Sequence, residues 1–181
     1  QLVLSQELGA VGDQRSRMEN AVSFRTDIET LVRKGVSPPE PSAFLYDLVD
    51  AIDTQANRFD DLVAANRDSE LGEMVTDFVD EVTQNAAMIT DNLENAQFGT
   101  FDVIQTALNF NYSWKIYEAR QLRDRHSESL STEATDTLNE LIDLLKAFGV
   151  VREHFKTLYF QWELINLSRA LLYIAVPALV I

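Results

Sequence analysis

The chain has 181 residues, of which 15 are lysine or arginine and 29 are aspartate or glutamate, so its formal net charge is −14. Such a surface disfavours nucleic acid as a partner, because it repels phosphate groups. The chain has no cysteine, which excludes disulfides, thiolate metal sites and a cysteine nucleophile. With 6 glycines and 4 prolines it lacks the turn residues that many short strands need, so an all-β fold is excluded.

The N-terminal part of the chain predicts two helices. Apolar residues recur at helical spacing over residues 2–34, and Gly35 follows as the C′ residue of this long first helix. Ser37 and Glu40 have the spacing of a capping box, which predicts that the second helix begins near Pro38. The apolar stripe of the first helix consists of Leu4, Leu8, Val11, Met18, Val22, Phe24, Ile28, Leu31 and Val32.

The remainder of the chain predicts three more helices. Apolar residues follow strict three-four spacing from Leu71 to Leu93, a heptad seam typical of coiled-coil packing. A fourth helix is predicted to begin at about Phe101. Ser131 is a good N-cap for the fifth, in which no helix breaker occurs before Pro177. If continuous, the fifth helix has about 48 residues and a length on the order of 70 Å.

Five amphipathic helices with short connections predict an all-α fold, an antiparallel up-and-down helical bundle of about five helices. The last helix is too long for the bundle and is predicted to continue into a transmembrane segment. We therefore expect two parts, a juxtamembrane bundle domain over residues 1–168 and the start of a transmembrane helix over residues 169–181. If both ends of the chain reach the bilayer, one of the five helices must be short, broken or splayed.

The C-terminal residues have the composition of a membrane segment. Residues 170–181 are apolar on all sides of a helix, whereas a surface helix keeps a polar stripe. Tyr159, Trp162, Arg169 and Tyr173 are the predicted membrane-interface residues, because aromatic rings and a snorkelling arginine favour the headgroup region. The alternative, a hydrophobic C-terminal core segment, remains open, because twelve residues are fewer than the roughly 20 that a span needs. Basic residues near this segment lean toward a cytoplasmic side for the domain.

No catalytic, cofactor-binding or metal-binding residue is predicted. The Glu-x-x-His motif of helical metal sites is absent at His126 and His154, and no phosphate loop or nucleophile elbow occurs. The many acidic residues are expected to form a solvated surface, which fits a salt-rich habitat because salt screens their mutual repulsion. We expect a non-enzymatic protein. An alternative is a sensory domain that binds a small ligand among Phe110, Tyr112, Trp114 and Trp162.

Two stretches, residues 1–9 with Asp13-Gln14-Arg15, and residues 158–169, resemble a family of uncharacterised polytopic membrane proteins from haloarchaea. The resemblance implies a helical soluble region between transmembrane segments, so that Gln1 would follow one span as Arg169 leads into another. We expect an integral protein of the cell membrane, in contact with lipid through its C-terminal segment and able to bind a second copy or another membrane protein. The expected role is structural, or one of interaction or coupling, and the resemblance brings no catalytic residue or cofactor.

Overall fold

The computed structural model describes residues 2–64, 69–94 and 110–178, and these residues form five α-helices without a strand. The helices are α1 (Leu2–Val32), α2 (Pro41–Ala64), α3 (Ser69–Glu94), α4 (Tyr112–Arg125) and α5 (Thr132–Ala178). The predicted all-α bundle is confirmed. The predicted beginning of the fourth helix at Phe101 lies outside the described residues.

Helix α2 packs antiparallel to the first part of α5. The Gln55 amide donates to the Glu140 carboxylate at 2.7 Å, and one turn further along α2 the Arg58 guanidinium lies 3.1 Å from the Glu133 carboxylate. Residue numbers therefore rise along α2 as they fall along α5. This is the arrangement of neighbours in an up-and-down bundle.

Helix α4 is likewise antiparallel to α5. The ring of Phe110, just before α4, meets the Phe148 ring edge-on at 4.7 Å between centroids. Near the other end of α4, Arg123 donates to the side-chain oxygen of Asn139 at 2.9 Å. Helix α3 packs against both α2 and α4, so α2 to α5 form a bundle around one core.

The core follows the predicted apolar stripes. Helix α3 is the clearest case, because every residue of its predicted heptad seam is buried. Full burial of such side chains contributes about 1.5–3 kcal/mol each relative to exposure, which makes this seam a main source of bundle stability. The buried seam consists of Leu71, Val75, Phe78, Val82, Ala86, Ile89 and Leu93.

Helix starts are fixed by side-chain caps. The Ser131 hydroxyl accepts from the backbone N–H of Ala134 at 3.0 Å, which confirms the predicted N-cap of α5. The Asn111 side chain accepts from the N–H of Trp114 at 3.4 Å and caps α4 in the same way.

The connection between α1 and α2 differs from the prediction. Arg33 directly follows the end of α1 at Val32 and has a left-handed φ of 58°, whereas Gly35 was predicted to be the C′ residue. The second helix begins at Pro41 rather than near Pro38, and the Glu40 carbonyl accepts from the N–H of Phe44 at 2.9 Å. Pro41 thus occupies the first helical position, where a missing N–H costs nothing.

Over residues 12–32, where the side chains of α1 are described, the C-terminal part of the helix docks on the bundle. Ile28 is buried, and the Arg33 guanidinium holds both oxygens of Glu140 at 3.0 and 2.9 Å. In contrast, residues 12–23 are exposed, including Met18 and Val22. The apolar stripe predicted for α1 is therefore not part of the core over residues 12–23. We call residues 12–23 the α1 arm.

Candidate membrane-interface segment

Helix α5 leaves the bundle without a break. Leu138 is fully buried, with 0% of its surface exposed, and Phe155, at 7%, is the last buried side chain among the described residues of α5. The helix then continues to Ala178, which confirms that Leu138 and Trp162 lie on one element. Its 47 residues correspond to about 70 Å. We call residues 156–178 the α5 arm.

The four predicted interface residues all lie on the α5 arm. Their spacing of three, seven and four residues places Tyr159, Trp162, Arg169 and Tyr173 along one side of the helix. Tyr173 is 79% exposed, and Trp162 and Arg169 are exposed as well. Phe155 lies on this same side of α5. Toward the N-terminus of α5, this side faces the bundle core.

Tyr159 makes the most specific contact of the four. Its hydroxyl donates to the Glu163 carboxylate at 3.0 Å, one turn further along, and its ring lies 6.5 Å from the Trp162 ring. Desolvation and the Glu163 carboxylate raise the pKa of Tyr159 above its usual 10.0, so the phenol stays neutral and able to donate. A neutral aromatic ring with a polar tip suits the boundary between water and lipid.

No helix within residues 2–64, 69–94 and 110–178 combines the length and the hydropathy needed to cross a bilayer. Residues 169–178 of the predicted transmembrane start belong to α5, and residues 179–181 lie outside the described part. Leu171, Leu172 and Tyr173 are exposed. These three side chains are therefore not part of the bundle core.

The α1 arm and the α5 arm leave the bundle at the same end. Arg25 of α1 lies over the ring of Phe44, close to the start of α2. Arg33, directly after the end of α1, binds Glu140 of α5. Glu140 also binds Gln55, which lies much further along α2 than Phe44. Helix α1 therefore runs in the same direction as α2 and opposite to α5. This is a departure from the predicted up-and-down order, in which consecutive helices alternate in direction.

The four aromatic residues of the predicted ligand site are not brought together. Phe110 and Tyr112 pack against Phe148 in the core, with centroid distances of 4.7 and 6.3 Å. Trp114 contacts Tyr117 on the exposed side of α4. Trp162 lies on the α5 arm beside Tyr159. Among the described residues, no aromatic contact joins these three groups.

Two open grooves lie along α4. One, of about 470 Å³, is lined, among the described residues, by α4 alone, including Tyr117, Arg120 and Arg125. The other, of about 230 Å³, lies between α3 and α4 and is lined by residues including Glu81 and Glu118. In the part of the chain that the structure describes, no three histidine or carboxylate side chains are grouped as metal ligands.

Lys115 is a buried charge that sequence reasoning missed. It is 1% exposed, and its ammonium lies 2.8 Å from the Glu81 carboxylate and 5.9 Å from the centre of the Phe110 ring. Lys115, Ala119 and Leu122 share the inward spacing of α4, so spacing pointed to burial. The residue type instead predicted an exposed side chain, because lysine is almost never fully buried in proteins.

These features define a class of protein, an all-helical bundle with long helical arms projecting from one end. The whole chain, residues 1–181, matches a family of unknown function, DUF7972, and therefore belongs to it. No curated protein matches the chain, and no solved structure does.

Proposed function

We propose that the chain is a non-enzymatic juxtamembrane domain of an integral membrane protein, in which the bundle positions or couples the membrane helices or binds another protein. The observation that carries the proposal is the continuity of α5 from buried Leu138 to exposed Tyr173. A rigid helix transmits rotation or tilt, so repacking of the bundle would be felt at the far end of the arm.

The C-terminal part of the α5 arm, after Arg169, is apolar, and we propose that this part enters lipid. From Ala170 to Ala178 it has no charged residue, and burying an exposed leucine contributes about 1.5–3 kcal/mol. Arg169 precedes this segment and can keep its guanidinium at the headgroups while its stem lies along the lipid. We place the membrane surface at Arg169, with Tyr159 and Trp162 on the water side and Tyr173 inside the boundary.

The α1 arm supports the same orientation. Along the helix axes, Leu2 lies about 46 Å from Arg33, and Arg169 lies about 44 Å from Glu140. Because Arg33 and Glu140 are in contact, both helices reach nearly the same distance from the bundle. The proposal is therefore that the beginning of α1 lies at the same membrane surface.

The location and habitat that we propose follow from charge. Arg152, Lys156 and Arg169 lie near the apolar segment, which favours the cytoplasmic side of a cell membrane. Four lysines, eleven arginines and 29 acidic residues give a surface suited to high salt, as in haloarchaea.

Liposome flotation tests the membrane contact. The 181-residue chain should float with phosphatidylcholine vesicles, which carry no net charge, and Leu172→Glu combined with Tyr173→Glu should abolish flotation, because two carboxylates would have to enter lipid. The matched control is Met18→Glu combined with Val22→Glu on the α1 arm, where the apolar side chains are similarly exposed. Equal flotation of the two double variants would refute the proposed contact.

The second candidate is a ligand-sensing bundle, and the groove of about 470 Å³ on α4 favours it. Arg120, Arg125 and Tyr117 would offer an anionic or aromatic ligand both charge and a ring face. A thermal-shift screen of small anionic metabolites, repeated with Arg120→Ala, tests this candidate. Stabilisation that disappears in the variant would support it, and the absence of any stabilising compound would remove it.

A further inference from the structure

The α5 arm carries a second apolar line that the membrane-interface residues do not use. Phe160, Leu164, Leu167 and Leu171 follow one another at spacings of four, three and four residues. Their side chains are 56%, 63%, 58% and 58% exposed, so nothing in the described chain covers them. We call these four residues the outer seam.

The outer seam begins only where α5 leaves the bundle. The same line of α5 alongside the bundle is mostly polar and exposed, and its charges pair with one another: Lys146 with Asp143 at 2.8 Å and Lys156 with Glu153 at 3.1 Å. A helix that served only as a solvated spacer would keep this polar face. The line consists of Asp143, Lys146, Val150, Glu153 and Thr157 before Phe160.

The outer seam points away from the described parts of the chain that pack against α5. At about 100° per residue, Phe160 is turned by about 140° from Phe155, the last buried residue. Leu164 is turned by about 120° from Glu140, the α5 residue that binds α1. Neither the bundle nor the α1 arm is therefore placed to cover the seam.

We propose that the outer seam packs against the outer seam of a second copy of this chain, forming a parallel two-stranded coiled coil. Alternation of three and four residues is the period at which two helices interlock side chains along a shared axis. Other lines of the arm lack an unbroken set: Ile165 is followed by Ser168, and Trp162 by Asn166. A two-fold pair buries the same patch on both copies and leaves no further seam open.

The residues that flank the seam are compatible with this pairing. In a parallel pair, Lys156 of one copy would face Gln161 of the other, and Glu163 would face Ser168. No two like charges meet, which matters for a chain with a net charge of −14. The parallel direction rests on the proposed function, since both copies would enter one membrane from the same side.

Sedimentation equilibrium in density-matched detergent tests the pairing. We expect twice the chain mass of 20.5 kDa for the wild type. Leu167→Glu should weaken the dimer by at least about 100-fold, since it would bury a charge in the seam. Ile165→Glu is the matched control, an exposed aliphatic residue on another line, and it should change the dissociation constant by less than about threefold. Circular dichroism confirms that both variants keep their helices.

Disulfide cross-linking tests the direction, because the chain has no cysteine of its own. Leu164→Cys and Leu171→Cys should each link to themselves in a parallel pair, and an antiparallel pair cannot link both. A wild-type mass of one chain, or of more than two, overturns the proposal, as does equal cross-linking at Ile165→Cys. Flotation uses Leu172 and Tyr173 instead, so loss of the dimer and loss of membrane binding are distinguished.

Discussion

Leu145→Ala tests whether the bundle end of α5 carries the stability of the domain. Leu145 is 0% exposed and belongs to the core cluster. The substitution removes three buried carbon atoms with their hydrogens, and at about 0.8 kcal/mol each their burial contributes about 2.4 kcal/mol to stability. The cavity that remains adds to the loss of stability. We expect the free energy of unfolding to fall by about 3–4 kcal/mol.

Leu172→Ala on the same helix is the matched control. Leu172 is 63% exposed and lies off the outer seam, so its truncation should change the free energy of unfolding by no more than about 0.5 kcal/mol. Urea unfolding followed by circular dichroism at 222 nm, in one detergent for all variants, measures both. With a slope near 2 kcal/mol per M, the midpoint of Leu145→Ala should fall by about 1.5–2 M.

The refuting result is a comparable loss for the two leucines. That would mean that the α5 arm folds back on a core of its own, contrary to its exposure. A loss below about 1 kcal/mol for Leu145→Ala would show that the bundle is loosely packed around α5.

Three further predictions concern glycine, pH and salt. Gly149→Ala should lower the free energy of unfolding by about 1–3 kcal/mol, because the new Cβ would collide with the Tyr112 ring. Gly12 has open space around it, so Gly12→Ala should stabilise α1 by about 0.5–1 kcal/mol, measured as slower hydrogen exchange of its backbone amides. Desolvation and the Asp50 carboxylate raise the pKa of Asp53 above 3.8, so its charged form costs stability at neutral pH. Asp53→Asn should therefore raise the Tm at pH 7, and this advantage should vanish as the pH falls through the raised pKa. The Tm of the wild type should rise steadily between 0.1 and 2 M KCl, as screening weakens the repulsion of a surface with charge −14, and a flat response would contradict the proposed halophilic surface.

The sequence predicted the helices best where apolar spacing and helix ends agreed. The seam from Leu71 to Leu93 and the Ser131 cap were confirmed, because a partner helix covers the seam and the cap is a local contact. The continuity of α5 was predicted from the lack of a breaker before Pro177 and was confirmed to Ala178. These are properties that a few neighbouring residues determine.

Spacing alone could not say which stripes find a partner. Met18 and Val22 have the same spacing as core residues, yet they lie on the α1 arm beyond the bundle. Arg33 was not predicted to take a left-handed backbone, and its side chain binds Glu140 across more than a hundred residues of sequence. Lys115 was likewise missed, because its burial depends on Glu81 and Phe110 from other parts of the chain.

The predicted interface segment illustrates both what the sequence could predict and what it could not. The aromatic and basic composition around Arg169 could be read directly, and the helix does place Tyr159, Trp162, Arg169 and Tyr173 on one side. The direction of α1 could not be predicted, because it depends on the contacts of Arg25 and Arg33 with α2 and α5.

An accessibility scan along α5 in liposomes tests the central claim, that one helix runs from the bundle core into lipid. Spin labels on single cysteines at positions outside the outer seam, from residue 156 to residue 173, would be exposed to a water-soluble and a lipid-soluble relaxation agent. We predict that labels before Arg169 respond mainly to the water-soluble agent and that those after it respond mainly to the lipid-soluble one, without a break in helical periodicity. If a label at Leu172 met the water-soluble agent as readily as one at Gln161, the account would be contradicted.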